Sequence, residues 1–295
     1  MAIHPGYMGA ASIGGNSFRF ESCSLTAKQA WETPDMVMGN WDHAAYHAGK
    51  VDVSGSISGP ATEGFITNID GIFAWAAHRN QTCGQLNSQP VTLIYYCDGN
   101  GQGSGTTGKS SRIFTSVYAN NLTFSCTAGD NAQFSVDMMS AIKPTWGDDQ
   151  PSVNPAIEKI ITWDTCSVTI NNGGLSIPTD ALLSAFEFSI NNNCTPYYSL
   201  PSLSENLGYY PTAIIPGLRT VTGSLTAYDP EAFDGVDNYG DFTSSQIPSI
   251  TFTIAGRPFT VNCQFHRVEP TLTVGPIMST IAFTGVGTQD GLNSF

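Results

Sequence analysis

Charge is what this 295-residue chain has least of. Asp, Glu, Lys and Arg make up 12% of it, about half the roughly 25% of an ordinary globular domain. Ser, Thr, Asn and Gly carry the polar surface instead. That fits either a turn-rich β protein or a surface covered by neighbours, because interface cores are depleted in charge. Basic residues are scarcest: 11 against 24 acidic ones, a net charge of −13. They lie scattered along the chain, which excludes nucleic-acid binding by clustered Lys and Arg. No apolar run approaches the ~20 residues of a membrane-spanning helix. The opening Met1-Ala2-Ile3-His4-Pro5-Gly6 lacks the cationic stretch and apolar core of a secretion signal, so none is expected. Seven cysteines are odd in number, widely spaced and without a Cys-x-x-Cys pair, so buried free thiols in a protein made in reducing cytoplasm are expected.

What the chain does have is a repeat. Gly49-Lys50-Val51-Asp52-Val53-Ser54-Gly55-Ser56-Ile57-Ser58-Gly59 reads again, 168 positions later, as Gly217-Leu218-Arg219-Thr220-Val221-Thr222-Gly223-Ser224-Leu225-Thr226-Ala227. Both copies alternate apolar and polar residues with period two, the mark of a half-buried strand. Each comes after a polar-headed strand (Cys23 to Thr26; Phe188 to Asn191) and a long loop (27–48; 192–216). Each precedes a helical candidate. In the front half Thr62 and Glu63 precede a stripe of Phe65, Ile66, Ile69, Ile72, Phe73 and Ala76; in the back half Asp229-Pro230-Glu231 starts a shorter face of Phe233 and Val236. Hairpins come next, Val91 to Cys97 with Ile113 to Tyr118 and Ser249 to Ile254 with Phe259 to Cys263, the latter around Ala255-Gly256-Arg257-Pro258. Final strands run from Phe134 to Met138 and from Ser279 to Phe283. The expectation is a mainly β protein of two tandem homologous sandwich or barrel domains, 1–150 and 151–295, each with one flanking α-helix, joined by a proline-rich linker at 144–155.

No catalytic constellation emerges. Gly103-Ser104-Gly105-Thr106-Thr107-Gly108-Lys109-Ser110 satisfies the phosphate-loop string, but that chemistry needs a helix starting after the Lys to hold phosphate on its free amides. The β-branched Ser111-Arg112-Ile113-Phe114-Thr115-Ser116-Val117-Tyr118 stands there instead, so Gly103, Gly108, Lys109 and Ser110 belong to an expanded hairpin loop. Asp229, Glu231, Asp234, Asp237 and Asp241 lack the ligand ladder of a calcium loop and read as a solvated face. Asp148-Asp149 is a linker pair. His43 and His47 lack a third ligand and the glutamate of a zinc protease. No Gly-x-Ser-x-Gly elbow is present. Neither a cofactor nor a metal is expected, and the chain is not expected to be an enzyme.

Interaction surface remains. The loops hold Trp31, Met36, Met38, Trp41 and Tyr46 in one copy, and Tyr197, Tyr198, Tyr209, Tyr210, Ile214 and Ile215 in the other. Loops over about 12–15 residues are uncommon in compact domains and tend to be functional. They either meet a partner or fold back on their own sandwich.

The order strand, long loop, repeated strand and helix resembles the tail tube proteins of long-tailed bacteriophages. The residues that carry it are Ala185 to Asn193, Tyr209 to Gly217 and Val221-Thr222-Gly223-Ser224-Leu225-Thr226, with a fainter echo in the front half. The resemblance implies inner strands, here those of Val51, Val53, Ile57, Val221 and Leu225, that join neighbouring subunits into one β-barrel around a channel, and long loops that stack ring on ring. A tandem copy implies a homotrimer imitating a hexamer. Its implied partners are other copies, the tail terminator, tape measure and baseplate or tip proteins, and viral DNA that passes without specific binding. No membrane is involved, and the implied location is the virion tail after synthesis in the host cytoplasm. An acidic lumen would repel phosphate. The alternatives are another ring-forming tail part (a completion or baseplate hub protein), a carbohydrate-binding β-sandwich pair, or an NTPase.

Overall fold

A computed structural model describes residues 10–17, 20–32, 47–67, 71–77, 79, 86–94, 111–147, 159–171, 183–199, 209–228, 248–268, 278–287 and 292. Its front half runs β1 (Ala10–Ile13), β2 (Asn16–Ser17), β3 (Ser22–Glu32), β4 (His47–Pro60), helices α1 (Glu63–Thr67) and α2 (Ile72–Ala77), β5 (Gln89–Ile94), β6 (Ser111–Thr127), β7 (Gln133–Ser140) and β8 (Thr145–Gly147). The back half runs β9 (Cys166–Asn171), β10 (Leu183–Asn191), β11 (Thr195–Tyr197), β12 (Ala213–Ile215), β13 (Thr220–Ala227), β14 (Ser249–Ile254), β15 (Arg257–Val268) and β16 (Ser279–Gly285).

Period-two patterning decides these elements. Val51, Val53 and Ile57 are buried on one face of β4, while Lys50, Asp52 and Ser54 are exposed on the other. The same alternation places Val221 and Leu225 inside and Thr220 and Thr222 outside on β13. Fourteen strands form one antiparallel sheet. In the front half the neighbours run β3-β4-β7-β6-β5-β1, with β2 beyond β1; in the back half they run β10-β13-β16-β15-β14-β9. The 17-residue β6 joins them. Its first part pairs with β5, and after a bulge between Ala119 and Asn121 its second part pairs with β10 along Asn121↔Asn191 to Thr127↔Ala185.

One apolar cluster runs beneath both halves. At its centre Phe73 of α2 packs on Phe188 of β10 and Phe259 of β15, with centroids 6.1 and 5.1 Å apart. Phe124 of β6 stacks on Phe186 and Phe188 across the junction at 6.0 and 5.4 Å. Such pairs add about 0.5–1.5 kcal/mol each beyond the burial itself. The front helix is therefore part of what joins the two halves.

Several elements differ from the expected ones. The first long loop is shorter, because β3 continues to Glu32 and β4 begins at His47; no turn residue interrupts the chain before Thr33-Pro34-Asp35. The single front helix is two short ones, α1 and α2. Thr145 to Gly147, assigned to the linker, is a strand on the edge of β6. The back hairpin turns on two residues rather than four. Ala255 and Gly256 both take positive φ (48° and 79°) and Ile254 faces Arg257, the geometry whose twist matches a tight hairpin. The back-half helix expected from Asp229 lies outside the described residues.

Candidate functional site

The phosphate-loop residues Gly103, Gly108, Lys109 and Ser110 lie outside the described residues, but the element immediately after them is the strand β6, not a helix. β5 and β6 pair as an antiparallel hairpin from Ile94↔Ser111 to Gln89↔Val117. A strand offers no helix N-terminus for a phosphate. Among the described residues no group of three or more His, Cys, Asp or Glu is placed to hold a metal. His47 starts β4; His43, Asp148, Asp149 and the acidic residues from Asp229 to Asp241 lie outside the described residues.

The sheet has one covered and one open face. On the open face, residues of eight strands stand opposite one another in succession: Ser22, Ser58, Ser135, Thr123, Ser189, Thr222, Thr284 and Gln264. This belt of seven hydroxyls and one amide crosses both halves without a charge. Parallel to it run Ser24, Ser56, Asp137, Asn121, Asn191 and Thr220. Ser22 Oγ and Ser58 Oγ lie 3.0 Å apart, and Ser189 Oγ donates to Asn121 Oδ1 at 2.8 Å. Among the described residues, the face's carboxylates are Asp52, Asp137 and Glu187 and its lysines Lys28 and Lys50. Little of the net charge of −13 sits here.

Val51, Val53, Ile57, Val221 and Leu225 all point into the core. Their strands are paired on both sides within the chain, β4 by β3 and β7, β13 by β10 and β16. The open edges are elsewhere. Among the described residues β3 pairs with β4 alone, and β15 has β14 beside it only from Arg257 to Asn262, with Cys263 N donating to Pro248 O. An unpaired strand edge is a template for another strand.

The second loop divides. Ile214 is buried with Cys194 and Leu86 against Tyr118, Met139 and Ala141, and Tyr210 packs on the main core. Tyr198 donates to Asp52 Oδ1 at 2.5 Å beneath Lys50, whose Nζ lies 4.9 Å from its ring centroid. Burial, and then this bond to a carboxylate, push the Tyr198 hydroxyl above its usual range. Tyr197 of β11, Ile215 of β12 and Tyr209 remain about half exposed, and Leu218 is 87% exposed. Among the described residues, Tyr197, Tyr209 and Ile215 are the exposed large apolar side chains of the loop, and Leu218 follows just beyond it. In the first loop Trp31 lies in β3, its backbone opposite Ala48; Met36, Met38, Trp41 and Tyr46 lie outside the described residues.

Two features were not legible in the sequence. Asn192 is fully buried, and its Nδ2 donates to Ala76 O and Ala119 O, at 2.9 and 3.0 Å. Arg79 donates to Asn192 Oδ1, to Asn192 O and to Gly217 O. Burial draws the guanidinium below its usual range. This lock ties α2 and β6 to the start of the second loop; a buried Asn in a run of three asparagines carries no periodic signal. The second feature is a cysteine pair in an open pocket of about 240 Å³ at the junction. The Cys166 side chain hydrogen-bonds Cys126, which lowers Cys126 and, with burial, raises Cys166. Cys23, Cys126, Cys166, Cys194 and Cys263 are free thiols.

No curated protein matches the chain at a significant level. The phage tail tube protein family matches residues 6–285, nearly its whole length, and the chain belongs to that family.

Proposed function

We propose that the chain is a major tail tube subunit, that three copies close into a ring imitating six subunits, and that stacked rings form a conduit for DNA in the virion tail. The observation that carries this reading is the junction of β6 with β10. Two halves with one strand order, β3-β4-β7-β6-β5-β1 and β10-β13-β16-β15-β14-β9, meet edge to edge as an uninterrupted sheet. That arrangement supports a tandem duplication, and among the described residues it leaves β3 and the end of β15 without a second neighbour. Chains related by rotation satisfy both of these edges by closing a ring, and closure pairs two strand edges that would otherwise be templates for aggregation.

The open face supports the conduit. Curved inward, a carpet of Ser and Thr presents DNA with neither the clustered cations that hold phosphate nor a strong opposing field. A hydroxyl lining thus takes the place of the acidic one inferred from net charge. The exposed Tyr197 and Ile215 of β11 and β12, together with the exposed Tyr209, support a ring-stacking role for the second loop, while Ile214, Tyr198 and Tyr210 brace it from within. The mechanism is assembly by β-augmentation, with no reaction catalysed. Negative-stain imaging of the concentrated protein tests the reading: rings or tubes with a central hole are expected, and dispersed monomers at every concentration contradict it.

A further inference from the structure

We propose that β15 of one copy pairs antiparallel with β3 of the next in the register of the β6–β10 junction, placing His266 opposite Lys28. The inference rests on the ring proposed for this chain and goes on to specify its contact residue by residue. Its template is inside the chain. With Gly55 and Gly223 equivalent, Ser56 faces Asp137 as Ser224 faces Ala282, and these face Asn121 and His266 respectively. In the other direction Ser56 faces Ser24 as Ser224 faces Glu187. His266 therefore takes the place of Asn121, and Lys28 that of Asn191. Asn121 faces Asn191 across the junction, so His266 faces Lys28 of the neighbouring copy.

The same template sets which backbone groups reach across. Asn192 N donates to Asn120 O and Ala128 N to Ser184 O, both at 2.7 Å, so the narrow hydrogen-bonded pairs are those with even numbers. Asn121 and Asn191 form a wide pair, whose side chains approach most closely. Transferred to β3, the outward-pointing amides belong to Leu25, Ala27 and Gln29, and β4 is held by the amides between them. Lys28 and His266 are both exposed on the open face, and Lys28 stands opposite Asp52 of its own chain, a carboxylate placed to offset the added positive charge.

Cysteine cross-linking of the full chain tests the register. The double variant Lys28→Cys/His266→Cys, oxidised under conditions where imaging shows rings, is expected to give covalent dimers and trimers on a non-reducing gel. The offset variants Thr26→Cys/His266→Cys and Lys28→Cys/Gln264→Cys are expected to give about tenfold less, because diagonal neighbours sit at roughly 7–8 Å, beyond the reach of a disulfide. Single variants control for the native thiols. Separately, Ala27→Pro removes one outward amide and is expected to keep the wild-type circular dichroism while abolishing rings, whereas Ala27→Val retains them. If rings form but an offset pair links instead, or no pair links, or the proline variant still closes, the register is wrong and the ring reading stands. If no rings form, both fall.

Discussion

At Gly55 and Gly223 any side chain would displace the neighbouring strand. A Cβ on Gly55 would fall inside the contact radius of Ser24 O, and one on Gly223 inside those of Glu187 O and the Phe283 ring. Backbone atoms cannot rotate away, so Gly55→Ala and Gly223→Ala are each expected to cost ~3 kcal/mol, at the upper end for overpacking. Urea denaturation measures this, and a cost near zero would show that β3 and β10 do not press so closely on their partners. Asn192→Ala strips Arg79 of its side-chain acceptor and leaves two buried carbonyls unsatisfied; a loss of about 2–3 kcal/mol is expected. The thiols set an alkaline limit. Burial pushes Cys23 and Cys194 up to about 11 and Cys263 up to about 12, from an ordinary 9.0. A thiol raised on folding contributes stability that is complete below its unfolded pKa and lost as pH climbs through the folded one. Stability is therefore expected to fall between pH 9 and about 12, and Cys263→Ala to flatten that slope. An unchanged slope would place the alkaline loss elsewhere.

At the scale of elements, the strands were legible because each buries one face only, and a period of two survives in Val51, Val53 and Ile57 or in Phe186, Phe188 and Ile190 without knowledge of the partner. The helix face was legible in Ile72, Phe73 and Ala76, all buried in α2. What it packs on was not, because Phe188 and Phe259 lie far along the chain and belong to the other half. The edges that β3 and β15 leave open among the described residues were equally hidden: an edge is defined by an absent neighbour, and no residue pattern in Ser22 to Glu32 announces one. The strands of Val51 and Val221, expected to join neighbouring subunits, are paired on both sides by the chain itself. The second loop looked uniformly apolar, yet only Tyr197, Tyr209 and Ile215 among its selected residues are exposed enough to meet a partner. Charging that surface, with Tyr197→Asp and Ile215→Asp, is expected to leave rings intact and to shorten or abolish tubes. Sedimentation and imaging separate the two, and full-length tubes from the double variant would remove the loop from stacking.

At the scale of the whole molecule, the described strands form a large sheet with one apolar face and one hydroxyl face, and among the described residues β3 and the end of β15 have a neighbour on one side only. A phenylalanine core beneath such a sheet combines a well-packed interior with a surface poor in charge. If the hydroxyl face lines the proposed conduit it should be indifferent to DNA: affinity for duplex is expected to be too weak to measure even at low salt, where phosphate attraction is strongest. Replacing Ser54, Ser56 and Ser135 with Lys is expected to create measurable, salt-sensitive binding in assembled tubes. The most direct test of the central claim is native mass spectrometry of the isolated ring. Three times the 31.4 kDa chain mass is predicted, one chain supplying two wall segments. A ring of six chains would contradict it.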